Sequence, residues 1–144
     1  MLVSQILKSK SDDGVITVPP GTTVAACAEL LSSRRIGAVI ISSDGKRVAG
    51  ILSERDIVRE LGRRGVGCLS DTVDSIMTAK IVGCKADDLA DAVLQKMTDG
   101  RFRHVPVMDG DQMIGLISIG DVVKARLSEL SMEKDALEGM IKGF

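Results

Sequence analysis

The chain spells one structural sentence twice. Residues 34–61, RRIGAVIISSDGKRVAGILSERDIVREL, align with residues 100–127, GRFRHVPVMDGDQMIGLISIGDVVKARL. Upstream, VSQIL at 3–7 matches VDSIM at 73–77, and ITVPPGTTV at 16–24 stands where IVGCKADDL stands at 81–89. The spacing between matched blocks drifts slightly, so small insertions fall between them and mark loops. A unit of about 60 residues buries too little surface to be comfortable alone. Two copies are therefore expected to pack together with pseudo-twofold symmetry, with clefts where their sheets meet. The predicted division is a first repeat over 1–66, a second over 67–127 and a C-terminal helical extension over 128–144.

Each copy reads β-α-β-β-α, an α+β fold of α/β-type repeats. A short helical turn leads into an extended apolar piece, GVITV or KIVGC. In the helix that follows, Val24, Cys27 and Leu31 in one copy, and Ala90, Val93 and Met97 in the other, recur on one face. Next come a buried strand (AVIIS, VPVM), an Asp-Gly turn (Asp44-Gly45, Asp109-Gly110) and a return strand (VAGILS, MIGLIS). The return strand runs into a second helix, predicted over 54–62 and 119–131. GRRGVGCLSD, between the copies, is Gly-rich and polar and reads as a linker.

Composition narrows the function class. Apolar residues at 44% and charged residues at 27% describe a globular chain. A net charge of −1 gives no global pull toward nucleic acid or anionic lipid, and two aromatic residues, Phe102 and Phe144, cannot build a base-stacking platform. Cys27, Cys68 and Cys84 are far apart and odd in number, with a single histidine in the chain, so neither a zinc site nor a disulfide framework is expected. The apolar run GAVII at 37–41 is too short to span a bilayer, and Lys8 and Asp12 interrupt any export signal. A cytoplasmic protein is expected. Met77, Met97 and Met113 read as core, and Cys27 as inert packing.

The most specific feature is G-φ-φ-S-x-x-D-φ-φ, where φ is apolar: GILSERDIV at 50–58 and GLISIGDVV at 115–123. One reading is structural, since Ser followed three residues later by an acid is a helix-capping box worth about 1 kcal/mol. The other is chemical. The Ser lies where a buried strand turns directly into a helix, so orphan N–H groups and the positive end of the dipole point at one spot. An acid there can take both hydroxyls of a ribose while amides and cations receive phosphate, and the preceding Gly with its apolar neighbours offers a flat adenine-sized wall.

Together with VDSIMT, GRFRHVPVMDG and GLISIGDVVKARL in the second copy, the duplicated motif resembles tandem cystathionine-β-synthase (CBS) domain pairs, the Bateman module, and in particular free-standing bacterial two-CBS proteins. The resemblance spans roughly residues 1–127. It implies a regulatory module that binds AMP, ADP, ATP, NAD(H) or S-adenosylmethionine between the repeats, AMP foremost, in energy sensing. Carried over residue by residue, it implies one cleft with Ser53, Arg55 and Asp56 facing Thr78, Lys80, Val82, Arg103, His104 and Val105. The other cleft would join Ser118, Ile119 and Asp121 to Thr17, Gly37 and Ala38. The Asp56 cleft is the better equipped for phosphate, through Arg55, Lys80, Arg103 and His104. The Asp121 cleft is the more neutral, dependent on backbone donors, Arg34 or Arg35, or a basic residue of another chain.

His104 lacks a Ser, Cys or metal ligand in sequence that would need a base, so phosphate or solvent contact is the better role. Arg101, Arg103 and His104 also fit a solvated edge. The expected protein is not an enzyme, carries no catalytic cofactor and acts on a separate regulated partner, away from membranes. A nucleotide-processing enzyme is the alternative, and a nucleic-acid binder through GRRG and GRFRH a weaker one. Leu127, Leu130, Leu137, Ile141 and Phe144 make a heptad-like stripe broken by Lys134, which either packs on its own module or joins a homodimer.

Overall fold

The computed structural model describes residues 1–10 and 14–142, and its fold is α+β. In chain order the elements are α1 (Val3–Ser9), β1 (Thr17–Val18), α2 (Val24–Arg34), β2 (Ala38–Ile41), β3 (Gly50–Ser53) and α3 (Glu54–Arg64). There follow α4 (Ala90–Gly100), β4 (His104–Asp109), β5 (Gln112–Ser118) and α5 (Ile119–Ile141). The β-α-β-β-α order is thus met in full by the first copy. In the second copy the leading strand shrinks to a single parallel bridge, Cys84 to Val107.

That shortening has a backbone cause. In the first copy the Ile40 N–H donates to the Ile16 carbonyl (3.1 Å) and the Ser42 N–H to Val18 (2.9 Å), which gives β1 two paired residues. Pro106 occupies the place of Ile40 and has no N–H to give. Only the bonds on the far side remain, Cys84 N–H to Pro106 (3.0 Å) and Met108 N–H to Cys84 (2.8 Å).

The chain folds as two compact units, and they are not its two halves. One is built from Asp13–Val82 with the hairpin tip Asp109–Ile114. Its sheet has the order β1-β2-β3, with β1 parallel to β2 and β2 antiparallel to β3 in the register Ala38–Ser53 to Ile41–Gly50. Thr23 caps α2 by accepting from the Ala26 N–H (3.1 Å), and the predicted face of Val24, Cys27 and Leu31 is buried. These side chains meet Val39, Ile41, Leu52, Ile57 and Val73 in one core.

The other unit collects Met1–Asp12, Gly83–Met108 and Gly115–Phe144. Its core joins Val3 and Ile6 of α1 to Val93 and Met97 of α4, Val105 and Val107 of β4, and Ile117 and Val122. So VSQIL, which leads the first repeat, completes the core that holds the second repeat's helices. VDSIM, which leads the second, contributes Val73, Ile76 and Met77 to the first repeat's core.

The glycine that opens each motif is explained by this exchange. A Cβ at position 50 would lie 2.3 Å from Met77 Sδ, and one at 115 would lie 2.8 Å from Leu7 Cδ2. Met77 and Leu7 are equivalent residues of the two lead segments. The glycines therefore make room for an apolar side chain crossing the strand.

The remaining elements differ from the expectation in detail. The Asp-Gly turn of the second copy is tight, with Gly110 at φ 63° between β4 and β5. That of the first is a wider loop, held by Asp44, whose carboxylate accepts the N–H groups of Lys46 and Arg47 (both 2.8 Å). The linker is ordered: α3 extends to Arg64, a 3₁₀ helix follows over Val66–Ser70, and Cys68 is buried. Arg64 ties this segment together through Glu60 and Asp71, each at 2.7 Å. Helix α5 continues for 23 residues, and Leu127, Leu130, Leu137 and Ile141 are all exposed on it; Phe144 lies outside the described residues.

The exchange of lead segments is testable at its contact point. Gly50→Ala is expected to cost about 1–3 kcal/mol through overpacking against Met77. In a double-mutant cycle with Met77→Ala the losses should fall short of additivity, because the smaller side chain admits the new methyl. Denaturant unfolding of the four proteins measures this; strict additivity would refute the contact.

Candidate functional site

Strand β3 ends on the residue that begins α3. Ser53 is extended (φ −104°, ψ 162°) and accepts the Asp56 N–H on its hydroxyl (3.3 Å). Asp56 returns the bond: its Oδ2 accepts from the Ser53 N–H (2.9 Å) and hydroxyl (3.0 Å). Ser118 and Asp121 repeat the arrangement at the start of α5, with Ser118 N–H to Asp121 Oδ2 at 2.9 Å and Asp121 N–H to Ser118 Oγ at 3.1 Å. Both motifs are therefore complete capping boxes. The capping and binding readings coincide physically, because the cap is what holds each carboxylate still at a helix N-terminus.

The hairpins decide which residues stand beside each turn. Because β2 and β3 are antiparallel partners, the chain entering β2 lies opposite the chain leaving β3. Ala38 is in register with Ser53, and the Glu54 N–H donates to the Gly37 carbonyl (2.9 Å). In the second copy the Ile119 N–H donates to the Arg103 carbonyl (2.8 Å) by the same geometry. Gly37 and Ala38 thus adjoin Ser53 and Asp56, and Arg103 adjoins Ser118 and Asp121. The expectation had grouped these residues with the motif of the other repeat.

Thr78 exchanges two backbone bonds with Ile51 (3.0 and 2.9 Å), which places it on the outer side of β3. Thr17, Ile40, Ile51 and Thr78 then form one row across the sheet, with a threonine at each end. In the same unit Arg55 and Lys80 are exposed, and Val82 is 41% exposed. His104 is half-buried at the start of β4, and Ile119 is half-buried at the start of α5. Val105 is fully buried in the core, so its side chain is packing and not a surface for ligand.

Each acid has a cation that the motif alone does not announce. Arg59 pairs with Asp56 Oδ1 from one turn along α3. Lys10, which ends α1, lies 2.9 Å from Asp121 Oδ2 and donates to the Leu116 carbonyl (2.8 Å). Burial pushes the Asp121 carboxyl up, but the Ser118 N–H and the bond and charge of Lys10 outweigh it, and the group sits below its ordinary value. Beside this pair is a cavity of about 330 Å³ lined by residues that include Lys10, Asp121, Lys124 and Ser128. The Asp121 turn is consequently not the neutral one. A signal for part of this was present: Arg59 and Lys124 occupy the same place, three residues after the acid, where a helix brings side chains together. Nothing local marks Lys10.

Burial raises the thiols of Cys27 and Cys84 to about 11, with Asp88 adding to the rise at Cys84, which leaves both unreactive. Among the described residues, no group of three or more His, Cys, Asp or Glu side chains is placed to hold a metal ion. Among the same residues, no helix is long and apolar enough to cross a membrane.

Two acid-capped strand-to-helix turns, one in each unit, each hold a carboxylate fixed by its cap serine at a helix N-terminus. The CBS domain family model matches residues 3–63 and 73–128, and the chain belongs to the CBS-domain family as a tandem pair. It is 40% identical to the CBS-domain containing protein ATU1752 from Agrobacterium tumefaciens, with a TM-score of 0.82 over 88% of this chain and 99% of that one. A putative signal-transduction protein with CBS domains from Burkholderia ambifaria MC40-6 is 38% identical, with a TM-score of 0.82 over 89% and 95%. The mitochondrial CBS domain-containing protein CBSX3 of Arabidopsis thaliana is 32% identical over 98% of this chain and 72% of its own length. Of the longer CBSCBSPB3 from the same plant, the chain covers 22%. CBS domain protein PAE2072 from Pyrobaculum aerophilum, solved in complex with AMP, is 25% identical, with a TM-score of 0.77 over 92% of this chain and 99% of that one.

Proposed function

We propose that the protein is a cytoplasmic regulatory sensor that binds an adenosine-containing ligand, AMP foremost, and biases the activity of a separate partner protein. The observation that carries this reading is the duplicated turn itself. Asp56 and Asp121 are each fixed by the N–H of their own cap serine, at a helix N-terminus where a ribose diol and a phosphate can both be met. AMP in the related PAE2072 supports adenosine as the common part of the ligand. ADP, ATP and NAD(H) share that part and are the other candidates.

In this reading Asp56 and Asp121 accept ribose hydroxyls, and Ser53 and Ser118 orient them. Thr17, Gly37, Ala38 and Thr78 offer backbone and hydroxyl groups near the base, with Val82 and Ile119 as apolar contacts. Arg55, Lys80, Arg103 and His104 meet phosphate. A hydrogen bond to a charged group is worth about 1.5–3 kcal/mol. Losing the carboxylate should therefore weaken binding roughly 10- to 100-fold. Calorimetric titration of AMP into the wild type, Asp56→Ala and Asp121→Ala measures this. Wild-type affinity in both variants would remove the ribose role, and turnover of ATP with Mg²⁺ would favour the enzyme alternative instead.

The exposed stripe on α5 supports self-association. Leu127 (63%), Leu130 (48%), Leu137 (59%) and Ile141 (85%) are uncovered on one helix, which a soluble protein rarely leaves open. A homodimer joined along α5 is the proposed state. Sedimentation equilibrium should give a dimer mass for the wild type and a monomer mass for Leu130→Glu/Leu137→Glu; monomeric wild type would contradict it.

A further inference from the structure

The two acids differ in where their cations come from. Arg59 reaches Asp56 from the same helix and is 66% exposed, so it is a surface pair that solvent weakens. Lys10 reaches Asp121 from α1, at the far end of the sequence, and is 19% exposed. Its ammonium is bound to Asp121 Oδ2 at 2.9 Å and to the Leu116 carbonyl at 2.8 Å. The Oδ2 atom that holds Lys10 also accepts the Ser118 N–H, so a ribose hydroxyl seeking this oxygen must compete with Lys10.

The adjoining cavity offers the displaced ammonium somewhere to go. Its volume of about 330 Å³ lies at the lower end of small-molecule pockets, which run from about 300 to 1,000 Å³. Its walls carry Lys10, Lys124, Ser9 and Ser128 against the single carboxylate of Asp121. Two ammonium groups and two hydroxyls match a phosphate monoester, which carries a charge of about −1.5 to −2 at neutral pH.

We propose that Lys10 is a partner-exchanging cation: it leaves Asp121 when a ribose arrives and pairs with the ligand's phosphate in this cavity, so that the Asp121 turn selects phosphorylated adenosine. The inference rests on the ribose role proposed for Asp121. An uncharged nucleoside must break a half-buried ion pair and brings no anion to replace the carboxylate that Lys10 gives up. A nucleoside phosphate replaces the lost carboxylate with an anion of its own. Lys124 supplies the second charge from one turn along α5.

The test compares AMP with adenosine on the whole protein by calorimetry, in the wild type, Lys10→Met, Lys10→Arg, Lys124→Met and Asp121→Ala, with melting curves to check folding. Lys10→Met should weaken AMP at least 10-fold and leave adenosine unchanged or tighter, since Oδ2 is released. Lys10→Arg should restore most of the AMP preference, and Lys124→Met should reduce it less than Lys10→Met does. If Lys10→Met shifts AMP and adenosine by the same factor, Lys10 is only structural and the inference fails, even where Asp121→Ala still abolishes binding. If Asp121→Ala keeps wild-type AMP affinity, or if neither compound binds the wild type, the ribose role falls and takes the inference with it.

Discussion

Met77 lying across Gly50, and Leu7 across Gly115, is the contact on which the rest of the structure depends. Each side chain belongs to the lead segment of one repeat and closes the core that houses the other repeat's helices. Val73, Ile76 and Met77 serve the core of α2 and β2, while Val3, Ile6 and Leu7 serve that of α4 and β4. Neither repeat as written in the sequence therefore owns a complete core. The shortage of buried surface expected of a unit this small is met by exchanging short apolar helical pieces along the chain.

The exchange also positions the chemistry. Lys10 follows immediately after α1, so the segment that carries Leu7 onto Gly115 also brings an ammonium to Asp121. Thr78 follows immediately after Met77, so the other lead segment lays Thr78 along β3 in the same way. The packing contacts and the positions of Lys10 and Thr78 are set by the same short stretches.

Much of this was legible in the residues. The buried faces of α2 and α4 follow from apolar spacing, and the capping boxes follow from Ser and Asp placed at the end of a strand. Three things were hidden, each for a physical reason. The second copy's leading strand reads as extended, yet Pro106 withholds the N–H that would extend its pairing. The packing role of the motif glycines is hidden because their neighbours, Met77 and Leu7, come from distant stretches of the chain. Lys10 stands in a plain amphipathic stretch, and only long-range folding carries it to Asp121. The assignment of Gly37, Ala38 and Arg103 was recoverable, because a hairpin obliges the entry of one strand to face the exit of the next.

The most direct measurement is a crystal structure of the protein grown with AMP, in which the ribose is located. The account predicts the 2′- and 3′-hydroxyls within about 3 Å of the carboxylate of Asp56, of Asp121 or of both. A ribose bound to neither carboxylate, with both capping boxes left intact and facing solvent, would contradict it.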